Sequence, residues 1–153
     1  MPVIQHKQWI QASRDVCFDL ARDVEVHTKT TAETKEKAVG GVTQGLLEEG
    51  DMVTWEAVHF GIKQRLTAKV IQMEKPVQFV DVMVKGAFRS LHHTHQFVEE
   101  KEGTLMIDRL EYTSPFGPIG RLADKVFLEK YMSNFIKNRI RKLKKIAENK
   151  NYP

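Results

Sequence analysis

The sequence predicts an α+β protein in which a curved antiparallel β-sheet wraps around a long C-terminal helix, with short helices after the first strand. Three observations carry this reading. From about residue 33 the chain runs for about eighty residues in strand-length stretches separated by turn residues. The last segment carries one apolar stripe at steps of three or four, through Leu128, Met132, Ile136, Ile140, Leu143 and Ala147. Strand and helix periods occupy separate parts of the chain instead of alternating, which points to α+β rather than to a parallel sheet.

The elements follow in order. Val3 to Gln11 reads as a first strand with Ile4, His6, Gln8 and Ile10 on one side. Ser13 is placed to cap a helix, because its hydroxyl accepts an N–H of the first turn that has no partner within the helix. Val16, Cys17, Leu20 and Ala21 then recur at helical spacing, and that helix ends near Asp23. The polar stretch VEVHTKTTAE follows as loop or a second short helix. Breaks are expected at Gly40–Gly41, at 48–51 (EEGD), 73–76 (MEKP), 85–86 (KG) and 99–103 (EEKEG). Between them MVTWEAVHFGI, QRLTAKVIQM, VQFVDVMV, RSLHHTHQFV and TLMIDRLEYT read as strands of an antiparallel meander. Pro118 suits the first turn of the closing helix, whose opposite side carries Lys137, Arg141, Lys144 and Lys145.

Composition narrows the function. With 153 residues, 41% hydrophobic and 29% charged, residues 1–150 read as one ordinary globular domain with no membrane-spanning segment. No secretory leader is evident, and Cys17 is the only cysteine, so neither an internal disulfide nor a multi-cysteine zinc site is available. A cytoplasmic location is expected. The formal charge of +4 is concentrated in IKNRIRKLKK from Ile136 to Lys145, without the aromatics of a nucleic-acid surface. No nucleic-acid partner and no stable membrane insertion are expected, although the basic helix end is compatible with passing contact with anionic lipids. GGVTQG at 40–45 lacks the lysine and hydroxyl residue of a phosphate loop, and no G-x-S-x-G elbow is present.

The β-α opening, GDMVTWEAVHFG at 50–61, QFVDVMVKGAF at 78–88, HHTHQF, GTLMIDRLEY at 103–112 and PFGPIG before the last helix together resemble the START-like (SRPBCC) superfamily. The nearest branch is the polyketide cyclase/dehydrase type, and the resemblance covers nearly the whole chain. It implies the helix-grip fold of the major birch pollen allergen, with a cavity between sheet and long helix that holds a hydrophobic ligand. Relatives range over lipid carriers, quinone-binding proteins, hormone receptors, aromatase/cyclase enzymes and co-chaperone domains, so the fold does not choose the activity.

Within that frame the stretch SLHHTHQF, Ser90 to Phe97, concentrates the chemistry. Side chains alternate along a strand, so His93 and His95 share one face and His92 points to the other. Such an H-x-H pair supplies part of a metal site, but a third ligand is needed. Asp108, Glu111 and His59 are donors without a compact motif, and no metal or cofactor is expected. If residues 99–102 form a four-residue hairpin loop, His93 faces Asp108 and His95 faces Met106, which would orient His93 as a general acid or base. A structural reading of the same pair is a buried contact that fixes strand register.

For the cavity wall the expected residues are Trp55 and His59 on one strand, His93 and His95 on the next, and Met106, Asp108, Leu110 and Tyr112 on the last. Leu128, Met132, Phe135 and Ile136 of the closing helix form the roof, and the glycines of PFGPIG sit by the mouth as a gate or a simple turn. The leading expectation is binding of a small lipid, isoprenoid, quinone or polyketide-like molecule. The alternatives are a cofactor-independent cyclase, dehydratase or isomerase using His93 and Asp108, with Tyr112 stabilising an enolate, or a co-chaperone-like protein-interaction module. Oligomeric state is not addressed by the sequence.

Overall fold

The computed structural model describes residues 2–114, 117–123 and 127–149. Strand β1 (Val3–Ile10) leads into helices α1 (Arg14–Ala21) and α2 (Val24–Thr30), and a 3-10 turn (Ala32–Thr34) precedes β2 (Lys37–Gly41). Five strands follow: β3 (Met52–His59), β4 (Ile62–Glu74), β5 (Gln78–Lys85), β6 (Ser90–Glu100) and β7 (Gly103–Thr113). Helices α3 (Gly117–Ala123) and α4 (Glu129–Glu148) come last. The strands form one antiparallel sheet in the order β1-β7-β6-β5-β4-β3-β2. Register shifts in the β4–β5 and β2–β3 pairs insert the extra residues by which a sheet bends. The expected α+β helix-grip architecture is therefore present.

Local chemistry explains the short helices. Ser13 Oγ accepts the Val16 N–H at 3.2 Å, as expected of an N-cap. The Asp23 carboxylate does the same for α2, accepting from Glu25 and Val26 at 2.9 and 3.3 Å. Helix α1 buries Cys17, Phe18, Leu20 and Ala21, whereas Val16, counted with the stripe above, is exposed. Burial pushes the Cys17 thiol up, away from thiolate reactivity.

Among the described residues the closing segment comprises α3 and the long α4. Residues Ile136, Ile140 and Leu143 of α4 are buried at steps of four and three, and Lys137, Arg141 and Lys145 face solvent. Ile136 and Ile140 pack with Ile4, Leu110 and Tyr112, while Leu143 joins a second cluster around Phe18, Phe79, Phe97 and Met106. Each such side chain contributes about 1.5–3 kcal/mol relative to exposure. Pro118 lies in the first turn of α3, but Pro115 and Phe116, part of the expected gate, fall outside the described residues. Among the described residues no helix is long and apolar enough to cross a membrane.

Two turns differ from expectation. The stretch expected as one strand over 52–62 is divided, because Phe60 and Gly61 both adopt left-handed φ values of 54° and 73° and turn the chain from β3 into β4. Gly40 and Gly41 end β2 instead of forming a loop. Gly41, at φ 68°, lies so close to β3 that a Cβ would stand 2.1 Å from the Met52 carbonyl oxygen.

The β6–β7 hairpin bears directly on the site. Its loop is Lys101–Glu102 alone, both left-handed at φ 51° and 60°, which is the backbone of the two-residue turn whose twist suits paired strands. The loop is thus two residues shorter than the four expected. His95 stands opposite Asp108 and His93 opposite Leu110, instead of His93 opposite Asp108 and His95 opposite Met106. A shift of two keeps every side chain on its expected face.

Candidate functional site

A cavity of about 400 Å³ lies between the concave face of the sheet and α4. The sheet supplies Trp55, Ala57 and His59 from β3, Leu91 and His93 from β6, and Leu110 from β7. Leu128, just before α4, and Met132, Phe135 and Ile136 of α4 form the other wall. Most of the surface is carbon, so an apolar molecule inside it would leave water on both sides of the exchange. Phe60 and Phe127 also line it and are themselves largely exposed, which puts them toward its opening.

The expected wall residues divide. Trp55, His59, His93, Leu110, Leu128, Met132, Phe135 and Ile136 line the cavity. His95 does not, but it lines a smaller neighbouring cavity of about 70 Å³ that His93 shares. Met106 is packed into the core beside Phe97, and Tyr112 beside Phe88 with ring centroids 5.4 Å apart. Neither Met106, Tyr112 nor Asp108 reaches either cavity. The proposed contact of Tyr112 with a ligand carbonyl is therefore corrected: its strand turns that side chain into the cluster under Ile4 and Ile140.

Although the expected register is wrong, His93 and Asp108 meet. The His93 Nε2 lies 3.2 Å from Asp108 Oδ2, reached diagonally across the strand pair, as long side chains at offset positions can. His95, directly opposite, brings Nδ1 to 3.5 Å from the other oxygen of Asp108, and its Nε2 lies 3.0 Å from Asp81 Oδ2. The two imidazoles stack at 3.9 Å, with Phe79 on the far face of His95 at 4.2 Å. Burial pushes the Asp108 carboxyl up, but the charge on His95 and the hydrogen bond with His93 outweigh it and hold it far below the usual range. Burial and the neighbouring His95 push His93 down, whereas in His95 the two aspartates overcome burial and raise it.

The sequence reading did not name His27, Glu36, Tyr131 or Arg139, all of which line the cavity. His27 of α2 stacks on Trp55 at 4.0 Å and holds Glu36 at 2.6 Å. His59 Nδ1 contacts the Tyr131 hydroxyl at 2.6 Å. Arg139 is 6% exposed, donates weakly to the Ala21 carbonyl at 3.4 Å, and has no hydrogen-bond partner at Nε among the described residues. A signal for Arg139 did exist: it sits three residues after Ile136 and four before Leu143, inside the apolar stripe. Nothing in VEVHTKTTAE marked His27, and nothing just beyond that stretch marked Glu36.

The His27–Glu36 pair gives a testable pH dependence. Burial pushes Glu36 up, yet His27 and Arg139 together outweigh it and the carboxyl is held below its usual range. Burial and the charge on Arg139 also push His27 below its usual range, against the pull of Glu36. Both folded values lie below the unfolded ones, so both groups favour folding at neutral pH. The His27 share is lost as pH falls below about 6.5 and the Glu36 share below about 4.5. Glu36→Gln is expected to cost about 2 kcal/mol at pH 7 and progressively less toward pH 3.5. Urea unfolding at both pH values measures this, and a penalty that stays constant between them counts against it.

The family model described as polyketide cyclase / dehydrase and lipid transport matches residues 10–138. No curated protein matches the sequence. Among solved structures, the chain is similar to the protein TTHA0849 of Thermus thermophilus, with 22% identity, a TM-score of 0.78, and coverage of 94% of this chain and 95% of that one. It is also similar to major latex-like protein 151 of Panax ginseng, with 13% identity, a TM-score of 0.67, and coverage of 95% and 97%. The di-domain ARO/CYC StfQ of the steffimycin biosynthetic pathway matches with 11% identity and a TM-score of 0.76 over 95% of this chain and 50% of that one. At these identities the likeness is one of fold.

Proposed function

Because the chain belongs to the polyketide cyclase / dehydrase and lipid transport family, we propose that residues 1–150 form one binding domain that encloses a small hydrophobic molecule between the sheet and α4. Suitable molecules are a lipid, an isoprenoid or quinone, or a polyketide-like aromatic. The observation that carries this is the cavity of about 400 Å³, within the usual range for small-molecule sites and walled mainly by carbon. Affinity would come from burying apolar surface, at about 25 cal/mol per Å² before ordering costs. His59, His93 and Arg139 would orient a polar end of the ligand. A formed cavity also argues against the protein-interaction alternative, which implies a poorly formed one.

Native mass spectrometry of protein purified from its source, followed by organic extraction, tests this. The expected result is an apolar molecule bound at one per chain. Apo protein that also takes up no fatty acid, quinone or polycyclic aromatic from a test panel would end the proposal.

One observation favours a second reading, proton transfer to an enclosed substrate. His93 lines the cavity and is fixed by buried Asp108 at 3.2 Å, the arrangement of a general base with an orienting carboxylate. Tyr112 does not line the cavity, and Arg139 is one of the donors there that would serve a developing enolate oxygen.

A further inference from the structure

Three adjacent strands deliver one cluster. The β5–β6 pairing places Asp81 opposite His93, and the β6–β7 pairing places His95 opposite Asp108. All four side chains project from the same face. We infer that Asp81, His93 and His95 form a binding site for one divalent first-row transition-metal ion, with Asp108 holding the two imidazoles from behind.

The donor geometry is close to what such an ion needs. One ligating atom from each of Asp81, His93 and His95 lies within 4.8 Å of the others, and the His95–Asp81 pair is already at 3.0 Å. Donors bound at about 2.0–2.2 Å from a common ion stand about 3–3.5 Å apart, so closure needs side-chain rotation of about an ångström and no movement of strands. Asp108 contacts His93 at Nε2 and His95 at Nδ1, which leaves each ring one nitrogen for an ion. A carboxylate behind a ligating histidine fixes its tautomer and orientation, and here one carboxylate serves both rings. On binding, the ion replaces the hydrogen bond between His95 and Asp81 and its proton leaves to solvent.

Charge and space agree. With neutral imidazoles, as ligation requires, the carboxylates of Asp81 and Asp108 bring two negative charges to the cluster itself. A divalent ion restores neutrality. Two imidazoles and one carboxylate suit zinc, iron, cobalt or manganese, and not magnesium or calcium, which take oxygen ligands. Three protein donors leave a position open. Asp81, His93 and His95 all line the smaller cavity, and Asp81 and His93 also line the larger one, so that position is within reach of an oxygen atom of an enclosed molecule. The sequence reading offers Asp108, Glu111 and His59 as third donors and expects no metal; Asp81 takes that place in this proposal, from a strand that local motif reading does not connect to the H-x-H pair.

The test is a Co²⁺ titration of chelator-stripped full-length protein, followed by visible absorption and by displacement with Zn²⁺. One Co²⁺ per chain with the d–d bands of nitrogen-coordinated cobalt is expected. His95→Gln and Asp81→Asn are each expected to weaken uptake by at least about tenfold, while His92→Gln, on the other face, leaves it unchanged. Circular dichroism confirms folding of each variant, and partly exposed Asp81 carries the test if His95→Gln does not fold. Folded wild type that takes up no Co²⁺, or uptake of equal affinity in wild type and Asp81→Asn, would overturn the inference. Neither result depends on a hydrophobic ligand being present, so the cavity proposal stands or falls separately.

Discussion

Replacing Asp108 with alanine is expected to lower the free energy of unfolding by about 3–5 kcal/mol, measured with chelator present. The carboxylate is fully buried, and it lies within 3.5 Å of a nitrogen on each of two buried imidazoles. Alanine removes both contacts at once and leaves His93 and His95 stacked at 3.9 Å without the anion beside them. The stability lost is therefore that of a buried network broken on one side, not that of a single surface pair. For a chain of this size each kcal/mol shifts the melting temperature by about 2–4 °C, so a fall of about 6–20 °C is expected. Asp108→Asn, which keeps the shape and one acceptor oxygen, should fall between. Thermal melts followed by circular dichroism decide it, and an alanine variant that melts within about 2 °C of wild type would show that the network contributes little.

The second large effect is on binding. Ala57 lies mid-strand on β3, is buried, and faces the cavity between Trp55 and His59. Ala57→Trp projects an indole into a space of about 400 Å³ without touching the packed core. If it displaces four or five methylene groups of a bound molecule, the loss is about 3 kcal/mol, or roughly a hundredfold in affinity. Folding should be nearly unaffected, because the added volume enters empty space and forces no neighbour off its rotamer. Titration with a fluorescent apolar probe measures it. Equal affinity in variant and wild type, with matching circular dichroism, would place the bound molecule somewhere other than this cavity.

What the sequence made legible follows from what is local. The meander, the capped first helix and the apolar stripe of α4 rest on spacing within ten or twenty residues, and each is present. The faces of His93, His95 and Asp108 were legible for the same reason, since alternation survives any even error in register. The register itself was not, because it depends on whether Lys101 and Glu102 accept left-handed backbone, and neither residue advertises that as glycine or asparagine would. Asp81 as a neighbour of His95, and His27 as a neighbour of Trp55, arise from contacts between elements far apart in the chain. Arg139 was hidden differently: a basic run on the last helix reads as solvated, and only its place in the stripe distinguishes it from Lys137 or Arg141. Tyr112 and Met106 share the face of Leu110, yet the cavity does not extend along the whole of β7.

The two-residue turn at Lys101–Glu102 gives the site a reading frame. Its length determines which histidine faces Asp108 across β6 and β7, and every pairing along those strands is counted from it. Adding two residues there would slide the frame by one pleat, keeping His93 and His95 inward but exchanging their partners. Adding one would turn both imidazoles out to the other face and His92 in. In natural variation or in engineering, an insertion at this solvent-exposed bend is thus an edit to chemistry buried midway along the hairpin.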